Sequence, residues 1–149
     1  MKWIDVFSGY SISNRLHSRG CFTLTFQNER NHIFQLPAVE ISLESGRPLT
    51  IHYILVYALL DALNNLSNSK PPKEPLFVTY YCANRKIAFE WNQEYLQDHA
   101  FSASTEDLDL WNEISEVCSD FRMELRIAET DSVLNGIVRI ESGRVQHLL

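Results

Sequence analysis

The sequence predicts an α/β domain: a mixed five-stranded sheet, three antiparallel strands followed by two parallel ones, covered by helices. Three observations predict it. Residues 3–39 hold three runs rich in β-branched and aromatic side chains, joined by short polar segments. A long segment that is apolar nearly all round comes next, then a proline-rich loop and a short continuous apolar run. The remainder shows helical periodicity and one more alternating run. A right-handed crossover through the long helix makes the fourth strand parallel to the first.

The elements follow in order. Residues 3–8 and 20–27 read as strands, the second with a clean period of two, and 31–39 repeats the type after a hairpin turn at 28–31. The first helix runs over 48–66, with Pro48 suited to its first position, where a missing N–H costs nothing. Ile51, Leu55, Ala58, Ala62 and Leu66 recur at helical spacing, and Ile54, Leu59 and Leu63 widen the stripe until the helix must be buried. Residues 67–75 contain three prolines and read as a loop. Residues 76–81 form a central strand.

A second helix spans 84–96 with Ile87, Trp91 and Tyr95 on one side. A third begins after 102–105, with Ser104 as cap and Asp107 at the third helical position, as in a capping box. Its buried stripe is Leu110, Trp111, Ile114, Cys118 and Phe121. Residues 122–127 alternate as the last strand. Two alternatives stand for 130–141: a helix capped by Asp131 or Ser132, or a hairpin turning at Asn135-Gly136.

The chain of 149 residues is 45% hydrophobic and 11% aromatic, enough for one core, so residues 1–149 are expected to form a single domain. No run of about 20 apolar residues is present, and the opening MKWIDVFSGY lacks a signal peptide's apolar stretch. Cys21, Cys82 and Cys118 are far apart and odd in number, which implies reduced thiols in a cytoplasmic protein, and the lack of long apolar runs leads to the expectation of no membrane partner. Trp3, Trp91 and Trp111 read as core anchors. The net charge of −6 divides into +3 for residues 1–88, −10 for 89–131 and +1 for 132–149. The acidic segment is either a solvated helix face or a docking surface for a basic partner, and it repels phosphate backbones.

Several stretches resemble type 1 ribonuclease H. Ile4-Asp5-Val6-Phe7-Ser8-Gly9-Tyr10-Ser11 is similar to that family's first strand, which ends in a Thr-Asp-Gly-Ser-like turn. Ala58-Leu59-Leu60-Asp61-Ala62-Leu63 resembles the Ala-Leu-x-x-Leu end of its first helix, and Asp107-Leu108-Asp109-Leu110-Trp111 its Asn-x-Asp-Leu-Trp motif. The likeness covers about residues 3–141. It implies the ribonuclease H-like fold, and for the family an activity on RNA–DNA hybrids through carboxylates that hold two Mg²⁺ ions. Carried over by these motifs, the family's carboxylates fall on Gly9, His52, Tyr81 and Arg139, none of them a magnesium ligand, and the loop at 129–131 lacks the family's histidine. The stretch Asp5 to Tyr10 is also similar to a D-x-F-S-G-Y stretch of integrase cores, but no aspartate stands at the end of the fourth strand.

The expectation is therefore a non-catalytic binding or scaffold module with no metal or other cofactor. Its expected partner is a protein, either one with a basic surface or a second copy, with nucleic acid a weaker partner. One alternative is a divergent nuclease with a relocated Mg²⁺ or Mn²⁺ site built from Asp5, Glu129 and Asp131. Another is nucleic-acid binding without cleavage. The five histidines lack metal-site spacing, and a Cys82–His52 nucleophile pair competes with the simpler reading of Cys82 as a core thiol.

Overall fold

The computed structural model describes residues 2–13, 15, 17–44, 47–69 and 74–129. Strands β1 (Lys2–Ile12), β2 (Arg19–Asn28), β3 (Ile33–Gln35) and β4 (Val39–Ser42) come first. Helix α1 (Ile51–Asn68) and strand β5 (Leu76–Cys82) follow. Then α2 (Arg85–Phe89), a π-helix (Glu90–Tyr95) and α3 (Leu96–Asp98) run on without a break, before α4 (Leu108–Asp120) and β6 (Met123–Glu129). The two readings of residues 130–141 lie outside the described residues.

The sheet order is β3-β2-β1-β5-β6, with β4 also on β2. The pairs β1–β2, β2–β3 and β2–β4 are antiparallel, and β1–β5 and β5–β6 are parallel. The α/β class and mixed sheet are as expected, but there are six strands among the described residues, because the third is split. Gln35 pairs with Thr25 and Val39 with Phe22, so three residues face two and the chain bulges at Pro37. Proline cannot donate to the ladder and belongs at such a break. The extra residue shifts the alternation, so that Ile41 turns into the core.

One sheet face carries Ile4, Val6, Phe22, Leu24, Phe26, Val78, Tyr80, Leu125 and Ile127, which close on Ile54, Leu55, Ala58, Leu59, Ala62 and Leu63 of α1. The Tyr80 hydroxyl is satisfied by donating to the Leu55 carbonyl at 2.8 Å. Helix α1 starts later than its sequence suggests. Thr50 caps it by accepting the Tyr53 N–H, and Pro48 stays outside. It also runs past Leu66 into the predicted loop. Trp91 and Trp111 are core residues, whereas Trp3 is 37% exposed and lies outside the core. No helix among the described residues is long and apolar enough to cross a membrane.

Among the described residues no strand pairs with the outer side of β6, and side chains of the π-helix bond it instead. The Trp91 indole N–H donates to the Leu125 carbonyl at 2.8 Å. The Asn92 amide donates to the Ile127 carbonyl at 2.6 Å and accepts the Ile127 N–H at 3.2 Å, as another strand would. Replacing Asn92 by Ala leaves both groups unpaired, with an expected cost of about 1–3 kcal/mol in urea unfolding. The uncovered edge should also produce concentration-dependent association in light scattering.

Gly20 marks a close approach of a different kind. A Cβ there would lie 2.6 Å from the Ser11 carbonyl oxygen and 2.8 Å from a Leu49 methyl. Backbone cannot yield as a side-chain tip can, so Gly20→Ala should destabilise the fold by about 1–3 kcal/mol, read as a lower urea midpoint at unchanged slope.

Candidate functional site: a buried histidine among carboxylates

His52 is the second residue of α1 and is only 5% exposed. Its Nε2 lies 2.6 Å from Glu90 Oε1, and its Nδ1 lies 2.7 Å from Asp107 Oδ2. Glu90 opens the π-helix and is itself buried. Asp107 precedes α4 in a left-handed conformation, with φ 55°. Asp tolerates that conformation better than most residues, and its carbonyl accepts the Leu110 and Trp111 N–H groups. Asp107 is thus the residue before α4 and gives no side-chain cap, where the sequence suggested the third position of a helix capped by Ser104. Its carboxylate goes to His52 instead.

Glu106 completes the cluster. Its Oε2 is 3.6 Å from His52 Nδ1, and its Oε1 accepts from Lys86 Nζ at 2.7 Å. Lys86 holds the Glu106 carboxyl below its usual range, and Glu106 raises Lys86. An aromatic cluster fixes the two segments that bear the acids. Trp91, next to Glu90, stacks 5.9 Å from Trp111, four residues beyond Asp107, and Tyr95 and Phe101 pack beside them.

Ionised carboxylates only accept hydrogen bonds, so an imidazole facing one at each nitrogen is satisfied when both nitrogens carry protons. Burial opposes the charged ring. The hydrogen bonds to Glu90 and Asp107, with the nearby charges of Glu90 and Glu106, outweigh it and raise the His52 pKa. Counting His52 and Lys86 against Glu90, Glu106 and Asp107 leaves one negative charge uncompensated.

The other residues singled out in the sequence are placed differently. Gly9 lies buried in β1 opposite Thr23. Tyr81 stacks on Phe7 at 4.8 Å and 10°. Burial and the charge of Asp5 push its phenol up, and burial likewise raises the Asp5 carboxyl. In register Asp5 is level with Thr79 and Arg126, whereas Glu129 is level with Cys82 and bonds Arg85 at 3.3 Å. The two carboxylates lie three positions apart on opposite sheet faces, so the structure does not assemble a relocated site from them. Asp131 and Arg139 lie outside the described residues. The Cys82–His52 pair does not form either. Cys82 is fully buried with its thiol pushed up to about 12, chiefly by burial, and both His52 nitrogens are engaged elsewhere.

Glu90, Glu106 and Asp107 were not legible as partners of His52, because they come from segments 38 to 55 positions away. One signal was present. Glu90 stands three residues after Ile87, on the apolar side of its helix, and a carboxylate there needs an internal partner.

No protein-family model matches the chain, and no curated protein matches it. Solved structures do. LC11-RNase H1, crystallised with an RNA/DNA hybrid, superposes with a TM-score of 0.65 over 97% of this chain and 98% of its own, at 11% identity. The fold is ribonuclease H-like. The RNase H domain of PFV gives a TM-score of 0.61 over 99% and 94% at 11% identity. LC9-RNase H1, a type 1 enzyme with the type 2 active-site motif, gives 0.58 over 98% and 69% at 13%. The chain spans 19% of the foamy viral protease-reverse transcriptase that it also matches. At such identities the likeness concerns the ribonuclease H-like fold alone.

The histidine sets a pH dependence. Its folded pKa is raised, so its contribution to stability is complete below the unfolded value of about 6.5 and is lost as pH rises through the folded pKa. Urea midpoints measured with chelator present should fall across that upper range, and His52→Gln should flatten the fall. His52→Ala, which strands the buried Glu90, should cost about 3–5 kcal/mol.

Proposed function

We propose that this chain is a ribonuclease H-like binding module that does not hydrolyse RNA–DNA hybrids. One observation carries the reading. Where the resemblance assigns a metal-holding glutamate of the first helix, this chain has His52, whose imidazole supplies no anionic oxygen. Two-metal hydrolysis needs several converging anionic oxygens. The side-chain-less Gly9 and the stacked Tyr81 supply none.

Helix α4 suggests the kind of partner. Asp109, Glu113, Glu116 and Asp120 are exposed at spacings of four, three and four, which places them on one face. Among the described residues none of the four has an ion-pair partner. Such a stripe attracts a basic protein surface and repels phosphates. The buried thiols Cys21, Cys82 and Cys118 suit a cytoplasmic setting. A second reading, hybrid binding without cleavage, draws on two structural matches that hold an RNA/DNA hybrid and on the +3 of residues 1–88.

The purified protein should leave a labelled hybrid uncut with Mg²⁺ or Mn²⁺, and its melting temperature should not respond to millimolar Mg²⁺. Metal-dependent cleavage that Asp5→Asn abolishes would overturn the proposal. In titrations, hybrid binding at micromolar or tighter affinity that survives about 150 mM salt would favour the second reading.

A further inference from the structure

We propose that His52, Glu106 and Asp107 form a binding site for a divalent transition-metal ion of the zinc class, with Glu90 steadying the far side of the imidazole. The site goes beyond the reading above and neither requires nor excludes hybrid hydrolysis. One nitrogen and two carboxylate oxygens, one from each residue, lie within 4.8 Å of one another. The 3.6 Å between His52 Nδ1 and Glu106 Oε2 is too long for a hydrogen bond. It is close to the roughly 3.3 Å edge of a tetrahedron of ligands with bonds of about 2.0 Å. Asp107 sits nearer, at 2.7 Å, and a small rotation of its side chain opens the same edge.

The surroundings are those of a metal site in two independent respects. Glu90 accepts from the Nε2–H and fixes the ring, so that Nδ1 presents its lone pair to the ion once its own proton has left, the outer carboxylate arrangement common behind metal-bound histidines. Lys86 grips Oε1 of Glu106 and leaves Oε2 turned towards the ring. Charge agrees as well. The Nδ1 proton leaves to solvent as the ion enters, and a dication with Lys86 then balances three carboxylates, whereas the proton alone leaves one negative charge. An imidazole ligand favours zinc-class ions over magnesium, which prefers oxygen. The Glu106 side chain is 39% exposed, which gives the ion a path in and leaves a coordination position on the solvent side.

The test uses the full chain, stripped with chelator and titrated calorimetrically with Zn²⁺, with Co²⁺ as the spectroscopic probe. One Zn²⁺ per chain should bind, undisplaced by millimolar Mg²⁺. Glu106→Gln and Asp107→Asn should each weaken binding by tenfold or more, and Glu90→Gln by about tenfold. Asp107→Asn tolerates the same backbone conformation and still accepts from Nδ1–H, and Glu106 is partly exposed, so circular dichroism should show both variants folded. The Co²⁺ spectrum should lack a thiolate charge-transfer band. No saturable Zn²⁺ binding, binding indifferent to both variants, or a thiolate band pointing to the cysteines would each overturn the proposal.

Discussion

The helical layer of this protein is organised by one buried imidazole. His52 belongs to α1, Glu90 to the π-helix and Asp107 to the turn before α4, so a single ring ties three segments that apolar packing alone would hold with less directional precision. Hydrophobic contact is non-directional, whereas two charge-assisted hydrogen bonds to opposite ring nitrogens set distance and angle together. The left-handed Asp107 is tolerable because the same bond stabilises it from outside its own helix. Removing either carboxylate would leave the ring with an unsatisfied donor in the protein interior.

The π-helix joins that bond to the outer side of β6. Three successive residues act on different partners: Glu90 on His52, Trp91 on the Leu125 carbonyl, and Asn92 on both backbone groups of Ile127. Wider turns of this kind are uncommon overall and are frequent at functional sites. Here the wider turn connects the polar cluster to the β6 edge, and the stacked rings of Trp91 and Trp111 keep the two carboxylate-bearing segments in register.

Much of this architecture was legible from periodicity. The buried face of α1, the continuous apolar β5 and the alternating β6 follow from 3.6- and 2-residue patterns, because those patterns record which side of an element meets the core. What failed were matters decided by single residues acting across space. Pro37 breaks the third strand, Thr50 rather than Pro48 begins α1, and Asp107 is drawn out of a capping role by a histidine 55 positions earlier. The site itself was half visible. His52 stood out through the family resemblance, but its partners come from three-dimensional proximity, of which only the misplaced acid at Glu90 left a trace.

The separation of these partners along the chain has a kinetic consequence. Joining His52 to Glu90 and Asp107 closes loops of 38 and 55 residues, and the chain entropy of such closures opposes early formation. Contacts consolidated after the rate-limiting barrier add little to the speed of folding and mostly slow the reverse process. The buried imidazole therefore governs how long a folded molecule lasts more than how quickly it forms.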